Sequence, residues 1–112
     1  MINVALVLFA VAAVLGITLL VKRIKLQGLP MALVIPHGLF AASGLLLLLL
    51  SVVNEGVVFA KLPLVLFVFV ALGGFTLLTL HLKGKFLPVP LVLVHGSLAV
   101  VAFLILLLRS MA

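Results

Sequence analysis

Residues 29–53 read LPMALVIPHGLFAASGLLLLLLSVV, a stretch of 25 residues without any Asp, Glu, Lys or Arg. About 20 helical residues cross the roughly 30 Å hydrocarbon core of a bilayer. Three comparable apolar runs flank this stretch, at about Ile2–Val21, Val57–Leu82 and Phe86–Leu108, and they are too long for barrel strands. The sequence therefore predicts an all-α integral membrane protein with four transmembrane helices.

The composition of the chain supports a lipid bilayer environment. Of its 112 residues, 69% are hydrophobic and 7% are charged, whereas an ordinary soluble domain is about half apolar and about a quarter charged. The absence of cysteine excludes disulfides, thiolate metal sites and covalently attached c-type haem. The net charge of +6 does not indicate nucleic acid, because the basic residues flank apolar runs and line no helix face.

Short polar links connect the four runs, at Lys22–Gly28, Asn54–Gly56 and Lys83–Lys85. Because such links force neighbouring helices to be antiparallel, we expect an up-down four-helix bundle. The first and third links hold five of the seven Lys and Arg residues, and the positive-inside rule places these basic loops in the cytoplasm. Both termini are then expected outside, in a membrane such as the bacterial cytoplasmic (inner) membrane.

The chain carries an internal repeat. Gly16–Leu50 aligns without a gap over Gly74–Leu108, and 16 of the 35 positions are identical, among them Lys25 and Lys83. Each repeat, about 1–53 and about 57–112, forms one helical hairpin that begins and ends on the same side of the membrane. The two hairpins are therefore predicted to be parallel, related by an axis along the membrane normal, and part of a single transmembrane domain that covers residues 1–112.

Two histidines occupy matched positions in this repeat. His37 lies about nine residues into the second run and His95 about ten residues into the fourth, near mid-membrane. At equal depth their imidazoles can face each other as the two axial ligands of one six-coordinate haem b. Each ring N–H then needs an acceptor, and the Ala32 carbonyl, which Pro36 deprives of its helical donor, is one candidate.

Further residues around the pair suit a flat macrocycle. Glycines would let a ring approach the helix backbones, and basic side chains above them are candidate partners for two propionates. The predicted haem-binding residues are His37 and His95 as iron ligands, Gly16, Gly74, Gly38 and Gly96 around the ring, and Lys22, Arg23, Lys25, His81, Lys83 and Lys85 near the propionates.

Other interpretations of the pair stay open. Duplication copies a single histidine, so the two histidines are one observation. The pair could instead be a hydrogen-bonded structural contact, handle protons or bind a metal other than haem iron, and the small residues could serve plain helix packing. Topology alone also explains the basic loops, and a wet interfacial position explains His81.

In its plan the chain resembles small four-helix membrane b-type cytochromes, in which histidines on bundle helices hold haem. The likeness covers the bundle plan and the paired steps His37-Gly38 and His95-Gly96. Those families usually have two histidines on one helix or several ligand pairs, whereas a single matched pair supports at most one haem here. The resemblance implies an electron carrier that exchanges electrons with a quinone or a redox protein.

Two other function classes compete with this one. Small multidrug transporters are similar in length and number of spans, but they depend on a carboxylate in the first span, and Ile2–Val21 has none. An accessory subunit of a larger membrane complex, or a homodimer, fits the small extramembrane mass equally well. A hydrolase is not indicated, because the chain has no Asp and its serines have no ordered His–acid partner.

Overall fold

The computed structural model of the protein describes all 112 residues, and it consists of four α-helices without a β-strand. The helices are α1 (Ile2–Ile24), α2 (Met31–Val53), α3 (Lys61–Leu82) and α4 (Val89–Met111), and a short 3₁₀ turn precedes α3. All four are long and apolar enough to cross a membrane. The prediction of an all-helical protein with four candidate transmembrane helices is confirmed.

The ends of all four helices differ from the predicted spans, and α3 begins at Lys61 because a 3₁₀ turn occupies Val58–Ala60. Helix α1 continues past Val21 to Ile24, so that Lys22 and Arg23 lie in its last turn, where positive charge is favourable beside the free carbonyl groups. Helices α2 and α4 begin two and three residues later than predicted, directly after Pro30 and Pro88. A proline disfavours helical geometry in the residue before it, in agreement with Leu29 and Leu87 lying outside the helices.

The helices form an elongated bundle with extents of 42 × 19 × 19 Å. Helix α1 packs mainly against α2, and α3 packs mainly against α4, while contacts of α1 with α4 and of α2 with α3 join the two pairs. Loops 25–30 and 83–88 lie together at one end, which we call the basic end. At the opposite, terminal end the amino group of Met1 lies 4.0 Å from the carboxylate of Glu55.

The tight core lies in the half of the bundle near the terminal end. Eight buried apolar residues form one cluster there, drawn from the N-terminal halves of α1 and α3, the C-terminal halves of α2 and α4, and the 3₁₀ turn. Its members are Ala5, Leu6, Phe9, Leu48, Ala60, Phe67, Ala102 and Leu106. The half near the basic end contributes no member, so the packing of the bundle is uneven along its axis.

The outer surface of the bundle is apolar. Only 13 of the 112 residues are buried, and large side chains such as Val14 and Phe75 are each 65% exposed. Exposing so large an apolar surface to water would cost free energy, whereas contact with lipid tails would not. The surface is therefore compatible with contact between these helices and a lipid bilayer.

Candidate functional site

The two matched histidines lie at the same position in their helices. His37 is the seventh residue of α2, and His95 is the seventh residue of α4. At 1.5 Å per residue each lies about 9 Å from the start of its helix. The pair therefore lies nearer the basic end than the middle of the two helices, and its depth in a membrane stays a prediction.

Each imidazole is bound to the backbone of the neighbouring helix in its own hairpin. The Nδ1–H of His37 donates to the Ala12 carbonyl oxygen of α1 at 2.8 Å, and the Nδ1–H of His95 donates to the Val70 carbonyl oxygen of α3 at 2.9 Å. A carbonyl can only accept, so Nδ1 carries a proton in both rings, and a neutral ring is then the Nδ1–H tautomer. In that tautomer the lone pair of each ring is on Nε2.

The acceptor predicted from Pro36 is wrong. The His37 ring reaches the Ala12 carbonyl on another helix, and the Ala32 carbonyl of its own helix is not its partner. Ala12 precedes His37 by 25 residues, and Val70 precedes His95 by the same 25 residues. The same hydrogen bond thus occurs once in each hairpin.

Two of the predicted glycines lie directly against the imidazoles. A Cβ atom on Gly16 would be 3.0 Å from Cε1 of His37, and a Cβ atom on Gly74 would be 3.2 Å from Cε1 of His95. These two residues lack a side chain where the histidine rings cross the backbone. Gly38 and Gly96 differ, because a Cβ atom on either would meet nothing within 4 Å.

The two imidazole rings face the interior of the bundle as a pair. Their centroids are 6.4 Å apart and their planes meet at 76°. Two imidazoles bound on opposite sides of one metal ion have centroids about 6.4 Å apart, because each metal–nitrogen bond is about 2.0 Å and each nitrogen lies about 1.2 Å from the ring centre. The 76° angle does not disturb such an arrangement, since each ring can rotate about its metal–nitrogen bond.

Of the six predicted propionate partners, three line a cleft and three do not. A cleft of about 240 Å³ opens at the basic end, between loops 25–30 and 83–88, and Arg23, His81 and Lys85 line it together with Gln27. Lys22, Lys25 and Lys83 belong to the same end of the bundle but do not line the cleft.

Arg23 joins the two hairpins at this cleft. Its Nε–H donates to the Leu87 carbonyl oxygen at 2.7 Å, and its guanidinium carbon lies 5.5 Å from the centre of the Phe86 ring. Both partners belong to the loop before α4, whereas Arg23 belongs to α1. The amino groups at the far end of the guanidinium have no hydrogen-bond partner within the chain and stay available to a ligand.

Sequence reasoning missed the two backbone acceptors at Ala12 and Val70. A carbonyl acceptor leaves no trace in residue type, so no motif could reveal it. The glycine one turn after each acceptor, Gly16 or Gly74, was the available signal, because a ring can approach a helical carbonyl only where the next turn lacks a side chain. No group of three or more His, Cys, Asp or Glu side chains is placed to hold a metal ion.

The chain was also compared with known proteins. Comparisons with protein-family models, with curated proteins and with solved structures found no match.

Proposed function

We propose that this protein is a transmembrane b-type cytochrome, in which His37 and His95 bind the iron of one haem b for electron transfer. The observation that carries the proposal is the spacing of the two rings. Their centroids are 6.4 Å apart, which matches the value of about 6.4 Å for two imidazoles on opposite sides of one metal ion. No residue type other than histidine would supply two neutral nitrogen ligands in this apolar interior.

The hydrogen bonds of the two rings fit this role. Donation from Nδ1 to a backbone carbonyl fixes the tautomer, holds the plane of the ring and raises the basicity of Nε2. Metal-bound histidines are usually held in this way. A pair that served only to connect helices would have no need to keep both Nε2 atoms free of a protein partner, and neither Nε2 has one.

The uneven packing of the bundle also supports the proposal. Phe9 and Phe67 fill the centre of the bundle near the terminal end by stacking on each other, and Leu48 and Leu106 are completely buried beside them. No comparable apolar cluster occupies the centre at the level of the histidines. A planar cofactor between the two hairpins would lie at this level.

The proposal includes a specific arrangement of the helices. The bundle is up-down, its two hairpins are parallel repeats about an axis along the membrane normal, and the basic end faces the cytoplasm. Support comes from contacts between equivalent positions, since His37 and His95 differ by 58 residues, as do Phe9 and Phe67. This arrangement leaves both termini on the outer side.

Six-coordinate haem iron supplies reversible one-electron chemistry between its ferric and ferrous forms. If His37 and His95 both held the iron, the protein would supply it with two strong ligands and leave no open site for a substrate. The residues therefore suit an electron carrier better than a stand-alone enzyme. A quinone, a redox protein or a larger membrane complex is the class of partner that such a carrier requires.

The experiment is purification of the full chain from haem-replete cells in mild detergent. We expect a red protein with a low-spin spectrum that changes on addition of dithionite. His37→Ala and His95→Ala should each leave one strong ligand, so that the iron becomes high-spin or is lost. His81→Ala is the matched control, because His81 lies at the basic end in the last turn of α3, and it should keep the low-spin spectrum.

A colourless wild-type protein would refute the cytochrome proposal. Metal analysis of the same sample then separates the remaining interpretations of the pair. Stoichiometric zinc or copper that is lost in His37→Ala would indicate a different metal site. Absence of any metal would return the pair to a structural or proton-handling role.

A further inference from the structure

The cleft at the basic end is built from equivalent positions of the two repeats. Its ten lining residues form five pairs whose numbers differ by 58: Arg23 with His81, Leu26 with Gly84, Gln27 with Lys85, Gly28 with Phe86, and Leu29 with Leu87. No lining residue lacks its counterpart. A cleft of this composition lies between two copies of one segment, and hence on the axis that relates them.

The same offset relates the two histidines, so the cleft and the imidazole pair share that axis. Arg23 follows Gly16 by seven residues in α1, and His81 follows Gly74 by seven residues in α3. Since both glycines contact the imidazole rings, the cleft begins about 10 Å from the rings along the bundle.

The polar groups of the cleft are donors. Arg23 and Lys85 are cations, His81 and Gln27 can donate hydrogen bonds, and no carboxylate lies at this end of the bundle, because the only acidic residue, Glu55, is at the terminal end. Donors from both repeats converge on one volume. Two oxyanion groups on one ligand, side by side across the axis, are the complementary partner.

From this we infer that the cleft binds the two carboxylates of the haem proposed above, so that the acidic edge of the macrocycle faces the basic end. The inference rests on the proposed function. A haem carries two propionates side by side on one edge, and thus matches a cleft with two equivalent sides. Arg23 and Lys85 contribute charge, and Arg23 additionally holds the Leu87 backbone in place through its Nε–H.

The two sides of the cleft are not identical. One side has Arg23 where the other has His81, and one side has Gln27 where the other has Lys85. Each side therefore has one permanent cation, supplied from a different position of the repeat. One cation can therefore lie beside each of the two carboxylates of the proposed haem.

The experiment loads the haem-free full chain with haem or with haem dimethyl ester, whose two carboxylates are methylated. We expect the wild-type protein to bind the ester about tenfold more weakly than haem, because charge-assisted hydrogen bonds are lost. Both complexes should show the low-spin spectrum, because the iron ligands are unchanged. The combined variant Arg23→Gln, Lys85→Gln should bind haem about tenfold more weakly and distinguish haem from the ester by less than about twofold.

Two further variants separate a loss of haem affinity from a loss of folding or a general charge effect. Lys85→Gln alone removes one cation without removing any hydrogen bond within the protein, so it should fold normally and show a smaller loss of the same kind. Lys25→Gln is the matched control, because Lys25 lies in the same loop region but outside the cleft. Equal losses in Lys25→Gln and Lys85→Gln would indicate a general charge effect and overturn the inference.

The outcomes separate the inference from the proposed function. A wild-type protein that binds no low-spin haem overturns both. A low-spin protein that binds haem and its dimethyl ester equally well overturns the inference alone.

A lipid phosphate could supply the same paired oxyanions. Native mass spectrometry with phosphatidylglycerol or phosphatidylcholine tests that source. An anionic lipid that haem does not displace and that the variant Arg23→Gln, Lys85→Gln no longer retains would assign the cleft to lipid and overturn the inference.

Discussion

Phe9 and Phe67 stack face to face across the bundle, with ring centroids 3.9 Å apart and planes within 2° of parallel. Their numbers differ by 58, the offset that also separates His37 from His95. The axis proposed between the two hairpins would relate these two positions to each other. Phe9 also packs on Gly44, where an added Cβ atom would lie 3.1 Å from the Phe9 ring.

The first prediction concerns this stack. Phe67→Ala should lower the free energy of unfolding in detergent by about 1–2 kcal/mol. This is less than the roughly 3–5 kcal/mol of a soluble core, because the unfolded helices stay in an apolar phase and only packing is lost. Titration with a denaturing detergent, followed by circular dichroism, measures the change.

Phe75→Ala on the same helix is the control, because Phe75 is 65% exposed to the surrounding medium. It should change stability by less than about 0.5 kcal/mol. Equal effects of the two variants would show that the stack has no special part in joining the hairpins.

The number and approximate limits of the helices followed from the sequence, because lipid imposes long apolar runs without charge. Residue-level limits did not follow. Lys22 and Arg23 were expected in a loop, but they extend α1, since long basic side chains can reach the interface from the last turn of a helix.

The candidate site was likewise predictable from the sequence only in part. The depth match of His37 and His95 was visible in the repeat, whereas the partner of each ring was not. The hydrogen bond to Ala12 depends on how α1 and α2 rotate about their own axes when they pack, and residue spacing within one helix carries no such information. The distance between the two rings depends on packing in the same way.

The second prediction concerns the glycine beneath the His37 ring. Gly16→Ala places a Cβ atom 3.0 Å from Cε1 of His37, so the ring must shift by a few tenths of an ångström from the position in which it contacts the Ala12 carbonyl. We expect the variant to retain less haem and to show a mixed high-spin spectrum. Haem content per protein and the absorption spectrum are the measurements.

Gly38→Ala provides the comparison, because a Cβ atom there meets nothing within 4 Å and alanine favours a helix. This variant should fold at least as well as the wild type in the haem-free form. If Gly16→Ala and Gly38→Ala bind haem equally well, the contact between Gly16 and His37 does not matter for the site.

The third prediction concerns haem removal. Because the proposed ligand would join α2 to α4, it binds the folded bundle and not the separated hairpins. At a free concentration of 100 times its Kd, it should stabilise the fold by about 2.7 kcal/mol. The gain should disappear in His95→Ala, and a variant that kept it would have to bind haem without the imidazole pair.

The last prediction concerns orientation in the membrane. Five of the seven Lys and Arg residues lie in the first and third links, and only Lys61 and Arg109 lie toward the terminal end. Because this bias sets topology, a reporter that is active only in the cytoplasm should be active when fused after Lys25 and inactive when fused after Ala112. Neutralising Lys22, Arg23 and Lys25 together leaves two Lys or Arg residues at each end, which removes the bias and should produce a mixed population. A cytoplasmic signal from the Ala112 fusion of the unaltered chain would show that the orientation is opposite to the predicted one. The cleft at the basic end would then face the outer side.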